Sequence, residues 1–178
     1  MMHHELIIAG FGGQGVLLAG QILAWAANLE GKSVVWSPSY GPEMRGGSSH
    51  CTVIISSDPI GSPIVAHPDT EVIMNGPSLE QFLPKLKPGG LLITNSSLVR
   101  NKPERTDIKL VEIPANTLAE EVGDVRSVNV VILGALMTVV PLVEEASVQR
   151  ALIERWGKNS KLLEINRRAL HAGMQAAE

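Results

Sequence analysis

Leu6-Ile7-Ile8-Ala9 is a short unbroken apolar run ending in glycines, the pattern of a buried first strand. From Val16 to Asn28 the chain turns to Ala and Leu with no proline, a composition that favours helix. Its polar positions are few, mainly Gln21 and Asn28, so this helix should be covered on most sides, and Gly20 would let a neighbouring backbone come close. Gly31 closes it. Ser33–Ser37 then reads as a second strand, and Cys51–Ser56, β-branched through its middle, as a third. Shorter apolar segments at Ile64-Val65, Glu71–Met74, Leu91–Thr94 and Leu110–Ile113 predict further strands. Ser78–Leu86 predicts a helix capped by Ser78 and stopped by Pro88-Gly89-Gly90.

The rest of the chain reads as helices over Asn116–Val122, Val130–Val140, Ala146–Trp156 and Lys161–Ala176. The last is amphipathic. Leu162, Ile165, Ala169, Ala172, Gly173 and Ala176 form one stripe, with Glu164, Arg167, Arg168 and His171 opposite. Strands alternating with helices predict an α/β fold. The expectation is one domain over residues 1–178, with a layered, mostly parallel, Rossmann-like sheet, flanking helices and C-terminal helices.

Composition narrows the chemistry. Aromatics are 3% of 178 residues while hydrophobic residues reach 44%, so the core must be aliphatic, as suits a covered parallel sheet. The net charge of −3 argues against binding nucleic acid, which takes a basic surplus. Lys102 and Arg105 are interspersed with Pro103 and Glu104 and read as an exposed loop. The apolar stretch Val130–Val143 carries Gly134, Thr138 and Pro141 and is shorter than the roughly 20 residues that cross a bilayer, so it reads as a core helix. No secretory leader is visible before the first strand, which predicts a cytoplasmic protein. The one cysteine, Cys51, can make neither an internal disulfide nor an iron–sulfur site. The histidines lack metal-ligand spacing.

Two glycine-rich segments carry the candidate chemistry. The first, Gly10-Phe11-Gly12-Gly13-Gln14-Gly15, lies between the first strand and first helix. Glycines there free backbone N–H groups to face a ligand, and the helix N-terminus favours a phosphate. The spacing matches the dinucleotide fingerprint, but Trp36, Ser37 and Pro38 stand where a ribose-binding acid belongs. A tight turn without ligand fits the same residues. The second segment, Ser37 to His50, places Tyr40, Glu43 and Arg45 within six residues, at what should be the same sheet edge. Glu43 and Arg45 either form an ordinary loop ion pair or leave Arg45 to meet an anion. For Tyr40, packing is favoured over acid catalysis.

Together, Gly10-Phe11-Gly12-Gly13-Gln14-Gly15-Val16 and Tyr40-Gly41-Pro42-Glu43-Met44-Arg45-Gly46-Gly47 resemble the gamma subunit or gamma domain of 2-oxoacid:ferredoxin oxidoreductases. The resemblance continues through Val53–Ser56, Ile60, Pro63 and Asn129–Ala135, and so spans nearly the whole chain. It implies a complex that oxidatively decarboxylates a 2-oxoacid, passes the acyl group to coenzyme A and sends electrons to ferredoxin. It also implies thiamine diphosphate with Mg2+ held between alpha and beta subunits, and iron–sulfur clusters on beta or delta parts. This chain alone would bind none of these cofactors and would be inactive in isolation. Gly12, Gly13, Gln14 and Gly15 then become one contact loop for coenzyme A or a partner, and Tyr40, Glu43, Arg45, Gly46 and Gly47 a second. Apolar surface left for partners would allow a homodimer of the isolated chain. Two other readings stay open at this point, an independent NAD(P)-dependent dehydrogenase and a non-catalytic adaptor.

Overall fold

The computed structural model describes residues 2–40 and 47–178, with the backbone alone at Tyr40. Six strands, β1 (His3–Phe11), β2 (Ser33–Tyr40), β3 (Ser48–Ser56), β4 (Thr70–Ile73), β5 (Leu91–Asn95) and β6 (Lys109–Ile113), form one sheet in the order β2-β3-β1-β4-β5-β6. β1, β4, β5 and β6 are mutually parallel, and β3 runs antiparallel between β1 and β2. β1 and β2 are therefore not neighbours. A dinucleotide fold needs its second strand beside its first, where the ribose acid sits. The register here, Phe11 with Ser48 and Tyr40 with Ser49, puts β3 in that place.

Five helices cover one face: α1 (Val16–Leu29), α3 (Ala115–Glu121), α4 (Val128–Val139), α5 (Glu145–Trp156) and α6 (Ser160–Ala176). On α1 the exposed positions are Gln21, Trp25 and Asn28, one stripe at helical spacing, so the expectation of broad coverage holds. Gly20 does not admit a backbone. A Cβ there would overlap the Cys51 sulfur and crowd Trp36 and Val53, so its neighbours are side chains of β2 and β3. Residues 128–137 of α4 are buried all round, as the apolar run required. Its tightest contact is with α6. A Cβ on Gly134 would overlap the Leu170 carbonyl, and one on Gly173 the Val131 carbonyl. The buried stripe of α6 accordingly centres on Asn166, Ala169, Leu170 and Gly173, and Ala176 is exposed.

The other face holds a smaller cluster under α2 (Gly76–Phe82) and the 3-10 turn Leu83–Lys85. The cap of α2 is Asn75, whose side-chain oxygen accepts from the Ser78 N–H at 2.9 Å; Ser78 lies inside the helix. Helical structure continues only as the 3-10 turn because Pro84 lacks the N–H a further α turn would use. The expected strand at Ile64-Val65 is absent. Ile64 is 78% exposed in an irregular stretch rich in Ser and Pro, with no neighbouring strand to pair. On β4, Glu71 is 0% exposed, sits in register between Ile7 and Leu92, and has no partner for either carboxylate oxygen among the described residues. Burial pushes its carboxyl up to about 7, against a weaker downward pull from Arg105 and Lys85.

Candidate functional site

The carboxyl ends of the parallel strands, the rim where open α/β sheets bind ligands, carry the first glycine loop. Its geometry follows from its glycines. Gly13 and Gly15 adopt φ of 100° and 73°, values that side-chain-bearing residues rarely hold. Gln14, between them, turns its amide inward. Its oxygen accepts from the Phe11 N–H at 2.6 Å and from the Asn75 amide at 3.0 Å, and its NH2 donates to the Met74 carbonyl at 3.4 Å. It thus braces the loop against the end of β4 and the cap of α2. A larger residue at Gly10 would collide with this brace, since a Cβ there overlaps Gln14, Met74 and Val16.

β2 ends at this rim and β3 begins there, so the described ends of the second glycine segment lie beside the first. The Gly12 N–H donates to the Gly47 carbonyl at 2.9 Å, which joins the two. Tyr40 ends β2 in register with Ser49. Glu43, Arg45 and Gly46 lie outside the described residues. Of the expected site positions, then, Gly12, Gly13, Gln14, Gly15, Tyr40 and Gly47 come to one rim. Nearby, the His50 ring lies 4.9 Å from that of Phe82, and burial together with Lys85 lowers its pKa.

Asn129, which the sequence reading placed only in a helix start, belongs to the site. It is the second residue of α4, is 3% exposed, and covers Gly15 so closely that a Cβ on the glycine would overlap its amide. With Gly13, Gly15, Asp124, Arg126, Ser127, Trp156 and Asn166 it lines a cavity of about 200 Å³. A polar residue at the buried start of an otherwise apolar helix was the available signal.

The chemistry is limited. Cys51 is fully buried beneath α1, and burial pushes its thiol up to about 12, too high for a nucleophile or a metal ligand. It does not fit an iron–sulfur cluster. Among the described residues no group of three His, Cys, Asp or Glu side chains that could hold a metal ion is found. A phosphate group is a better match, because the N-terminus of α1 has no side-chain cap and its loop glycines expose backbone N–H groups. No described helix is long and apolar enough to cross a membrane.

Residues 5–176 match the family model of pyruvate ferredoxin/flavodoxin oxidoreductase. The ketoisovalerate oxidoreductase subunit VorA of Methanothermobacter marburgensis is 38% identical over 167 residues, which cover 93% of this chain but 35% of that protein. The chain thus spans about a third of the length of that relative. The gamma subunit of a keto/oxoacid ferredoxin oxidoreductase from Geobacter sulfurreducens has a similar fold, with a TM-score of 0.84, 33% identity and 98% of each chain covered. So does the 2-oxoglutarate:ferredoxin oxidoreductase of Magnetococcus marinus, solved with 2-oxoglutarate, coenzyme A and succinyl-CoA bound. Its TM-score is 0.91 at 26% identity, over 99% of this chain and 31% of that one.

Proposed function

Since the chain belongs to the pyruvate ferredoxin/flavodoxin oxidoreductase family, we propose that it is the gamma component of a 2-oxoacid:ferredoxin oxidoreductase. In that role it acts inside a complex with alpha, beta and, where present, delta components, in the cytoplasm. The complex oxidatively decarboxylates a 2-oxoacid to its acyl-CoA, with electrons leaving to ferredoxin. The relatives are named for ketoisovalerate and 2-oxoglutarate, so the substrate is a 2-oxoacid whose side chain the other components select.

The observation that carries this is the Gly12–Gly47 hydrogen bond. It joins two glycine segments into one rim of bare backbone, whereas the described residues beside it supply no activated nucleophile and no metal-binding group. Such a rim shapes and contacts; it does not by itself break a carbon–carbon bond. The residues of this chain would hold an anionic part of coenzyme A, orient it and keep water from it, while Gln14 and Asn75 keep the loop in place. When bound by the complex, thiamine diphosphate supplies the carbanion-stabilising chemistry. The NAD(P) alternative is disfavoured by β3, which occupies the position of a dinucleotide fold's second strand.

The test is copurification and turnover. The chain should purify with larger alpha and beta components and should not reduce an acceptor alone. In the assembled complex, replacing Arg45 should raise the KM for coenzyme A while assembly stays intact. Weakened assembly with an unchanged KM would instead favour the adaptor reading. In isolation, the apolar face around Trp25, which is 47% exposed beside Leu18, Ile22 and Ala151, would support a homodimer measurable by sedimentation.

A further inference from the structure

The two faces of the sheet are covered unequally. Five helices lie on one, while the other is roofed mainly by the seven-residue α2 and a single 3-10 turn. So short a helix is marginal on its own, and its stability comes from what it packs on. What it packs on includes Glu71. The register neighbours of Glu71, Ile7 and Leu92, belong to the apolar cluster that Leu79, Phe82 and Leu86 close from above. No solvent reaches Glu71, and neither carboxylate oxygen has a partner among the described residues. We propose that Glu71 is a proton-controlled latch: with its carboxyl protonated the α2 layer stays closed on the sheet, and loss of that proton opens the layer and loosens the first glycine loop.

Single side chains hold the layer at its two ends. At the start, Asn75 caps α2 by accepting from the Ser78 N–H at 2.9 Å, and its amide donates to the Gln14 oxygen at 3.0 Å. That same oxygen accepts from the Phe11 N–H at 2.6 Å, so a shift of the cap undoes the brace of the glycine loop. At the end, Arg105 donates to the carbonyls of Leu83 at 2.9 Å and Leu86 at 2.8 Å, a cation on the last carbonyls of the layer. Asp107 holds its other edge. A neutral carboxyl at Glu71 asks little of this arrangement. An ionised one must be paired or taken to water, because a buried lone charge is costly. Burial raises its pKa to about 7, and of the charges that oppose this Arg105 acts more strongly than Lys85. Ionisation therefore sets Arg105 between two acceptors, the end carbonyls and the carboxylate. Whether the guanidinium leaves the turn or the carboxylate leaves the cluster, the closed layer is broken.

The other charges on this face are already matched or act the opposite way. On β1, Glu5 lies two positions from Ile7 and meets Lys87, which Asp69 at the foot of β4 also holds, at 2.8 Å. β5 carries no titratable side chain, and on β6 Glu112 pairs with Lys102 at 3.1 Å. Glu80 of α2 is exposed to solvent. Lys85 sits 5.0 Å over the Phe82 ring, whose other neighbour is the His50 ring of β3. Burial, and then Lys85, lowers the His50 pKa, so His50 gains its proton only as pH falls. It would strain the layer in acid, whereas Glu71 strains it as pH rises through 7.

The test uses the full chain. With 13C-carboxyl glutamate incorporated, the resonance lost in Glu71→Gln should titrate near pH 7. Arg105→Ala should move that midpoint upward, which removal of a merely structural arginine would not do. Native-state amide exchange then reads the layer. Between pH 6 and pH 8 the protection of the Leu79, Leu83 and Leu86 amides should fall about tenfold, as for a carboxyl that titrates near 7 closed and near 4.5 open. The Phe11 amide should follow. Low urea should leave the layer's protection unchanged and lower that of α4, because a local opening exposes little surface. The fall with pH should vanish in Glu71→Gln and persist in His50→Gln; if Glu71→Gln does not fold, Glu71→Met decides. A Glu71 midpoint below 5, or one unmoved by Arg105→Ala, would overturn the latch. So would a layer that exchanges together with α4, or a Phe11 amide that stays protected while the layer opens. A fall that survives without Glu71, or is lost with His50, would overturn it equally.

Discussion

The Gly12 N–H and the Gly47 carbonyl, 35 positions apart in the chain, meet at 2.9 Å across the end of the β1–β3 pair. That single bond ties the first glycine segment to the described end of the second. Phe11 and Ser48 are paired in register just below it, so the sheet itself delivers the loops to each other. The energy of one such bond is modest, about 1 kcal/mol net. Its importance is positional, because it fixes the spacing of bare backbone that a ligand or another polypeptide would meet.

Gly15 and Asn129 should behave as a coupled pair. Gly15→Ala forces a side chain into φ of 73° and into the Asn129 amide, so a loss of about 2 kcal/mol or more is expected. Combining it with Asn129→Gly should recover the steric part and leave the backbone part. Chemical denaturation of the two single variants and the double variant measures this coupling. Simple additivity would show that the two residues do not touch.

The α4–α6 contact should tolerate no added methyl. Gly134→Ala and Gly173→Ala each drive a Cβ into a facing backbone carbonyl, and backbone cannot swing aside as a side chain can. A loss of about 3 kcal/mol is expected for each, at the upper end of overpacking costs. Thermal unfolding should show a lowered Tm for both, while Gly61→Ala, in open space, should be nearly neutral.

Glu71 should make the chain less stable as pH rises. Its carboxyl titrates near 7 when folded and near the ordinary 4.5 when unfolded, so the folded state binds the extra proton between those values. Stability from this group is therefore full below about pH 4.5 and falls as pH rises through 7, by about 3 kcal/mol in all. His4 and His50, both lowered by burial, act oppositely, losing stability as pH falls through 6.5. Comparing wild type with Glu71→Gln at pH 5 and pH 8 cancels the histidine contributions. The variant should lose less stability between the two pH values; an equal loss would contradict the assignment.

Cys51 should be inert in the native chain. Full burial and a thiol near 12 leave almost no thiolate at neutral pH. A thiol reagent such as DTNB should react only on unfolding, at a rate that follows denaturant. Rapid native labelling would mean that α1 lifts from β3.

Much of the fold is legible in the residues because local and long-range preferences agree. The Ile and Val runs of β1, β3 and β5 are buried on both faces, and the Ala-rich stretch of α1 becomes the helix its composition favours. Strand order is different. That β3 inserts between β1 and β2 depends on pairing across long sequence separations, which no local pattern encodes. Ile64-Val65 misled because apolar character without a partner strand leaves a loop. The cap of α2 fell on Asn75 because a side-chain oxygen three residues before Ser78 reaches its N–H. At the site, the glycines announced themselves by spacing. Asn129 announced itself only as a polar residue in an apolar run, since its meaning comes from lying over Gly15, more than a hundred residues away in the chain.

In the proposed role this rim contributes contacts and other polypeptides contribute chemistry. The most direct measurement compares 2-oxoacid-dependent, coenzyme A-dependent reduction of an acceptor by the purified chain, by the alpha and beta components, and by all three combined. No reduction by the chain alone and full activity only on recombination are expected. Turnover by the chain without its partners would contradict it.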